Sequence, residues 1–294
     1  MFKKRQQINI GIDVGSAFIK AVAIDKSKTP YELVSFFSEP LNNNKAGSIK
    51  KAAAALAVPG ANINTSVCGQ QTTARLIEMP KMTERELKSA VKFEAEKYIP
   101  YKTEDVITDC IKIEDLPGGK LSVLLAAAKK SIINERINLF SEAGIELSAI
   151  DIDSLAVMNA FLNSQGQTDK ETAYALINAG AKTININIAR GEQTYLLRDI
   201  QAEGNDMSQA LAEIRFSFDF YENHYGKTIQ KVFISGGNIK PGQLDEGLKE
   251  VFGGDVVFWD PFNNIKMGAK VKQQELDPIK GTFAVAVGLG LREN

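Results

Sequence analysis

Histidine and cysteine are the scarcest chemistry in this chain: His224 is its one imidazole, and Cys68 and Cys110 are its two thiols. A zinc site or a Ser-His-Asp triad therefore has almost no raw material. The two cysteines lack metal-ligand spacing and sit in apolar, strand-like stretches, so buried, reduced thiols are expected. His224 falls in the polar helix end Glu222 to Gly226, where exposure is expected. Charge of one sign is missing too. With 35 basic and 36 acidic residues, there is no field to attract nucleic acid. No apolar run approaches the length of a membrane span, and Met1 to Gln7 lacks the apolar core of a signal peptide, so a cytoplasmic protein is expected.

What the chain does have is one short pattern used twice. The first copy runs from Ile8 to Lys20 through Asp13-Val14-Gly15-Ser16, and the second runs from Tyr174 to Thr183 through Asn178-Ala179-Gly180-Ala181. Each reads as a buried strand, a polar side chain, a small residue, a glycine, another small residue and a second strand. That is a β-hairpin with a tight glycine turn. Two such hairpins in a 294-residue chain, long enough for two cores, imply two similar halves facing each other across a cleft. Turn glycines let backbone N–H groups approach an anion with no Cβ in the way. Asp13, Ser16 and Lys20 around the first turn are chemically matched to Mg²⁺ and phosphate.

Between the hairpins the pattern predicts an α/β lobe: a third strand around Tyr31 to Phe37, a helix from Ser48 to Leu56, and strands Asn62 to Gly69 and Thr72 to Glu78. Thr83 and Glu86 form a capping box for a helix running to Ile99, with Leu87, Ala90, Val91, Ala95 and Tyr98 on one face. Strands Asp105 to Ile113 and Lys120 to Ala128 flank the turn Pro117-Gly118-Gly119, and Ser131 to Ala143 is again helical. This block reads as a module inserted into the first lobe. A strand to Asp151 and a helix from Ser154 follow. The second lobe then carries the repeated hairpin, a strand from Gln193 to Ile200, a helix from Ser208 to Tyr225, a strand ending in Ser235-Gly236-Gly237, and a helix from Gln243 to Phe252. A small-residue helix, Phe283 to Leu291, closes the chain.

The layout of Asp13 to Ser16 with Lys20, the turn at Gly180 and Ile234 to Gly237 resembles the phosphate-1, phosphate-2 and adenosine motifs of the actin, Hsp70 and sugar-kinase superfamily. More specific are Arg75 to Thr83, Phe93 to Tyr101, Ile150 to Asp153, the Gly288-Leu289 tail and the opening Met1 to Lys4. These are similar to the PilM family, the actin-like ATPases of type IV pilus assembly, over essentially the whole chain. The resemblance implies an α/β, actin-like (ribonuclease H-like) two-lobed fold with an FtsA-like inserted subdomain. The corresponding bounds are 1–77 with 146–165 and the helix 281–294 for the first lobe, 78–145 for the insertion and 166–280 for the second lobe. It further implies a cytoplasmic scaffold whose insertion holds the cytoplasmic tail of a PilN-like inner-membrane protein, which would keep it at the inner face of that membrane. Other pilus assembly ATPases and platform proteins join the implied partners, and self-association is left open.

The same resemblance assigns roles. Asp13 would face Mg²⁺, and Lys20 would reach the β- and γ-phosphates of ATP unless it is a solvated strand lysine. Gly15 and Ser16 on one side, and Gly180, Ala181 and Thr183 on the other, would line the phosphates. Gly236 and Gly237 would lie against adenosine, with Glu213 at the ribose and Ser217 one turn later on the same helix; Glu213 as a salt-bridging side chain is equally open. Asp153 would orient the attacking water or cap the helix that follows. The superfamily usually places an aspartate where this chain has Asn178, so slow or absent hydrolysis is expected. Arg75, Tyr98 and Tyr101 are the expected anchors for the partner tail, with the tyrosines as a simple seal of the helix end the alternative. A small-molecule kinase, for which Asp151 is the only candidate base, and a filament-forming actin are the competing readings.

Overall fold

The computed structural model describes residues 7–166, 169–202, 207–237 and 244–293. The chain opens with the antiparallel strands β1 (Ile8–Val14), β2 (Phe18–Asp25) and β3 (Glu32–Pro40), crosses through α1 (Lys45–Leu56) and returns as β4 (Asn62–Val67), parallel to β1. The next elements are β5 (Thr72–Pro80), α2 (Glu84–Glu94), β6 (Val106–Leu116), β7 (Lys120–Lys129), α3 (Lys130–Glu142), β8 (Ala149–Ile152) and α4 (Asp153–Gln165). The second lobe repeats the plan with β9 (Ala173–Ala179), β10 (Thr183–Arg190), β11 (Gln193–Gln201), α5 (Ser208–Tyr225), β12 (Lys231–Gly236), α6 (Leu244–Phe252) and β13 (Val256–Phe258). The end of the chain adds β14 (Lys266–Met267), α7 (Gln273–Leu276) and α8 (Ala284–Leu291). Gln243, where the last helix of the second lobe was expected to start, lies outside the described residues.

Three sheets result, in the orders β14-β3-β2-β1-β4-β8, β11-β10-β9-β12-β13 and β5-β7-β6. The central strands β1 and β9 read as almost unbroken apolar runs because their sheets are covered on both faces. Sheet membership moves two of the expected boundaries. β5 pairs with β7 in the third sheet although most of it lies before residue 78, while Phe140 of α3 and Ala143 just after it are buried in the first-lobe core with Ile10 and Ile49. The inserted sheet thus spans Thr72 to Lys129. β14, expected in the second lobe, pairs with β3 of the first. α2 also ends at Glu94, with Ala95–Lys97 tightening into a 3₁₀ turn before Pro100.

α4 and α8 lie between the two large sheets. Their core joins Val22 and Ile24 of the first sheet to Tyr174 and Leu176 of the second. Close approach here demands glycine. A Cβ on Gly288 would fall 1.7 Å from the Ala156 carbonyl oxygen of α4, and one on Gly11 would fall 2.1 Å from that of Ala286. Gly288→Ala must push the two central helices apart, and overpacking of that kind costs about 3 kcal/mol. Urea unfolding of the variant checks this, and an unchanged midpoint would contradict it.

Candidate functional site

The two glycine turns are built alike. The Gly15 amide donates to the Phe18 carbonyl at 3.1 Å and the Gly180 amide to that of Thr183 at 2.9 Å. The next strand closes each turn in the same way, Leu41 donating to Ala17 at 2.8 Å and Ala202 to Lys182 at 2.9 Å. The glycines therefore serve close approach, since a Cβ at Gly15 or Gly180 would sit 2.9 or 2.8 Å from the same carbonyls. This corrects the expectation that their own N–H groups are free. The amides that follow, of Ser16 and Ala181, have no backbone partner among the described residues and lie outside the ladders. They are the groups able to meet an anion.

Asp13, at the end of β1, is largely buried and pairs with Lys20 of β2 at 2.5 Å, both beside Gly15. Lys20 is thus neither a solvated lysine nor free of a partner before any ligand arrives. Asp153 lies nearby with only partial solvent access. Loss of hydrating water raises its carboxyl to about 6, the Asp13 and Asp199 charges add to this, and hydrogen bonds from Ser66 and Cys68 oppose it. Cys68 is exposed rather than buried in an apolar strand, and the Asp153 charge, with that of Asp199, pushes its thiol up. Asp13, Asp153 and Asp199 thus form one acidic neighbourhood. The helix N-cap position belongs to Ile152, and Asp153 is the first helical residue, so the capping role once open for it does not hold.

The raised carboxyl has a stability consequence. A folded-state value of about 6 above an ordinary 3.8 means that the native protein binds the proton more tightly than the unfolded chain. Stability from this group is therefore present below about pH 4 and is lost as pH rises through 6. Asp153→Asn should flatten that slope and stabilise the protein at neutral pH relative to the wild type. Thermal melts of both proteins between pH 4 and 7.5 check it; parallel profiles would contradict the assignment.

Asn178, the departure in the second turn, is buried and engaged at both ends. Its amide donates to Asn185 Oδ1 at 2.9 Å, and its carbonyl accepts from the Ser235 hydroxyl at 3.1 Å. Asn185 in turn donates to Asp199 at 2.8 Å. Asp199 on β11 was not among the expected site residues. It also accepts from the Gly69 amide at 2.6 Å and the Ser154 hydroxyl at 3.1 Å. Only its place at the end of a third strand, facing the turn before β5, could have signalled it. Gly236 has φ +115°, and a Cβ there would fall 2.2 Å from the Ala179 carbonyl oxygen. Gly237 is more open, with its nearest neighbour, the Thr282 methyl, at 3.5 Å.

The remaining expectations fare unevenly. Glu213 is ion-paired with Arg198, and Ser217 is buried with its hydroxyl donating to the Glu213 carbonyl at 2.8 Å. The salt-bridge alternative for Glu213 is thus the one the structure carries. Thr183 opens β10 and supplies the carbonyl of the second turn. Arg75 is exposed and borders a cavity of about 580 Å³ with Arg198, Phe216 and Phe220. Tyr98 and Tyr101 pack against the core of the inserted sheet instead, Tyr101 donating to the Gln70 carbonyl under the Lys129 ammonium. Neither tyrosine lines that cavity or the one between β6 and α4. They seal the helix end. Asp151, the one candidate kinase base, is ion-paired with Arg292.

A second cavity of about 790 Å³ separates the outer face of β6 from α4. Ile107, Ile111 and Ile113 of β6 line it opposite Leu155, Met158 and Leu162 of α4. Ile111 is 60% exposed, costly for an isoleucine with nothing to cover it. Glu84, Asp109, Glu192 and Glu293 border the same groove, against Lys88 and an Arg292 already paired with Asp151. No described helix is long and apolar enough to cross a membrane.

A family model described as type IV pilus assembly protein PilM matches residues 11–213 and 207–294. The chain is similar to a solved structure of a PilM–PilN type IV pilus biogenesis complex, at 20% identity and a TM-score of 0.84, covering 97% of this chain and 98% of that one. It is also similar to a Bacteroides thetaiotaomicron protein with an actin-like ATPase fold and unknown function, at 11% identity and a TM-score of 0.54, covering 98% of each chain. The cytoplasmic domain of EpsL, an inner-membrane component of the type II secretion system of Vibrio cholerae, matches at 12% identity and a TM-score of 0.53, covering 81% of this chain and 87% of that one. At these identities the structural matches establish the fold, which is the two-lobed actin-like ATPase fold. With a family model matched over nearly its whole length, the chain belongs to the family of type IV pilus assembly protein PilM.

Proposed function

We propose that this protein is an ATP-binding scaffold of type IV pilus assembly that holds the cytoplasmic tail of a PilN-like inner-membrane protein. The observation that carries the reading is the pair of matched turns at Gly15 and Gly180, each offering, beside a close-packed glycine, an amide with no backbone partner among the described residues. The cleft's chemistry fits Mg²⁺-ATP. Among the described residues no three acidic, thiol or imidazole groups are close enough to hold a metal by themselves. That suits Mg²⁺, which keeps several waters and takes one or two carboxylates plus phosphate oxygens. Asp13 is the carboxylate we assign to it, and Lys20, released from Asp13, would meet the phosphates as a point charge. Asp153, with its raised carboxyl, is the group best able to hold a proton from a water, and turnover is slow or absent in this reading.

The tail belongs in the groove between β6 and α4. An extended, basic and apolar segment would cover Ile107, Ile111 and Ile113 and meet the acidic border formed by Asp109, Glu192 and Glu293. The groove replaces the patch expected at Arg75, Tyr98 and Tyr101. Binding there would keep the protein at the inner face of the membrane through its partner. The kinase reading loses its base to the Asp151–Arg292 pair. Calorimetric titrations of the full chain with Mg²⁺-ATP and with a synthetic tail peptide test the proposal. Saturable binding of both is expected, and no heat with either would overturn it.

A further inference from the structure

Asp199 ties the second-lobe sheet to two parts of the molecule outside it, the residues before β5 and the start of α4. From β11 it accepts the Gly69 amide at 2.6 Å, the Ser154 hydroxyl of α4 at 3.1 Å and the Asn185 amide of β10 at 2.8 Å. On its second-lobe side the chain of donors continues through Asn178 to Ser235, the residue before Gly236-Gly237. Every link donates towards the Asp199 carboxylate. Two oxygens thus take three donors, and an amide in their place would turn an N–H₂ onto at least one of them.

On the other side, Gly69 begins the root of the inserted subdomain. It has φ +93°, and its carbonyl accepts both the Thr72 amide at 3.0 Å and the Thr72 hydroxyl at 2.9 Å, where β5 starts. The returning end of the inserted sheet ties to the same few residues: Lys129, the last residue of β7, donates its amide to the Gln71 carbonyl at 3.0 Å, and Tyr101 donates to that of Gln70. Entry and exit of the insertion thus meet at residues 69–72. A second-lobe carboxylate holds that meeting point.

We infer that Asp199 is a positioning residue that couples the nucleotide turn at Ser235 to the root of the inserted subdomain, so that occupancy of the cleft and of the groove on β6 bias one another. The inference rests on the scaffold reading above. It extends that reading by naming the route: Ser235, Asn178, Asn185, Asp199, Gly69. Such coupling is reciprocal and for linked sites amounts to about fivefold or more in affinity.

The test titrates the tail peptide into the full chain with and without a non-hydrolysable Mg²⁺-ATP analogue, for the wild type, for Asp199→Asn and for Asn185→Ala, which cuts the same route one link away. The wild-type peptide affinity should change at least about fivefold on adding the nucleotide. In both variants that factor should fall close to one, whatever their affinity for either ligand alone. A retained factor in Asp199→Asn, or no factor in a wild type that binds both ligands, overturns the inference. If the wild type binds neither ligand, the scaffold reading fails, and hydrogen exchange of the ligand-free protein decides the role of Asp199. Faster exchange across residues 69–76 in Asp199→Asn supports the anchored root, and unchanged exchange there overturns it.

Discussion

Ile111→Lys is expected to weaken binding of a basic tail peptide at least 30-fold. The isoleucine is 60% exposed in the free protein and sits at the middle of the β6 row facing α4. Covering such a side chain contributes about 1.5–3 kcal/mol, or roughly 10- to 150-fold. The new ammonium adds repulsion where the acidic border would otherwise attract, so the loss should exceed the apolar share alone. Phe93→Lys is the matching control. Phe93 is even more exposed but lines neither cavity, so its replacement should leave the peptide affinity within about twofold. Fluorescence anisotropy of a labelled peptide reads both variants; equal losses would mean that the groove is not the receptor.

Lys20→Ala is expected to act on both the ligand and the fold. Hydrogen bonds to charged groups are worth about 1.5–3 kcal/mol, so Mg²⁺-ATP affinity should drop roughly 10- to 150-fold. In the ligand-free protein the substitution also strips Asp13 of its ion-pair partner in a mostly buried place. Removing one member of a buried pair costs about 3–5 kcal/mol, and the exposure left to Lys20 puts the expected loss near the lower figure. Calorimetry on protein confirmed folded by circular dichroism separates the two effects. Unchanged nucleotide affinity would remove Lys20 from the site even if stability fell.

Much of this was legible in the chain because it depended on local pattern. The paired turns, the capping box at Thr83 and Glu86, and the small-residue helix at the end are stated by neighbouring residues, and each is in place. Boundaries set by long-range pairing were not. Nothing near Thr72 announces that β5 leaves the first sheet to join β7, because its alternation would suit either. The site shows the same division. Asp13, Gly15 and Lys20 cluster because they flank one hairpin, whereas Asp199 joins them from the far end of β11 through contacts with Gly69 and Ser154 that no sequence spacing encodes.

Asn178 illustrates how a residue's identity is misread without its partners. Read alone, it is a lost carboxylate that Asn178→Asp would restore. In place, its amide is the donor that satisfies Asn185 Oδ1, so an aspartate would face that oxygen with another acceptor. The carboxylate on that side of the cleft is Asp199, on β11, two strands on from β9, the repeat partner of β1. The tyrosines at 98 and 101, read as partner anchors, likewise have neighbours that sequence spacing does not show. Their apolar bodies were spent on the core under α2, where Val91, Ala95 and Ile99 already pack.

The account stands most directly on where each ligand protects the full chain, read in one hydrogen-exchange experiment with Mg²⁺-ATP and the tail peptide added separately. Nucleotide should slow exchange at the turns after Asp13 and after Asn178, and the peptide should slow it in β6 and the first turns of α4. Protection by nucleotide at neither turn, or by the peptide at the Arg75 and Phe216 cavity in place of β6, would contradict the two-site scaffold.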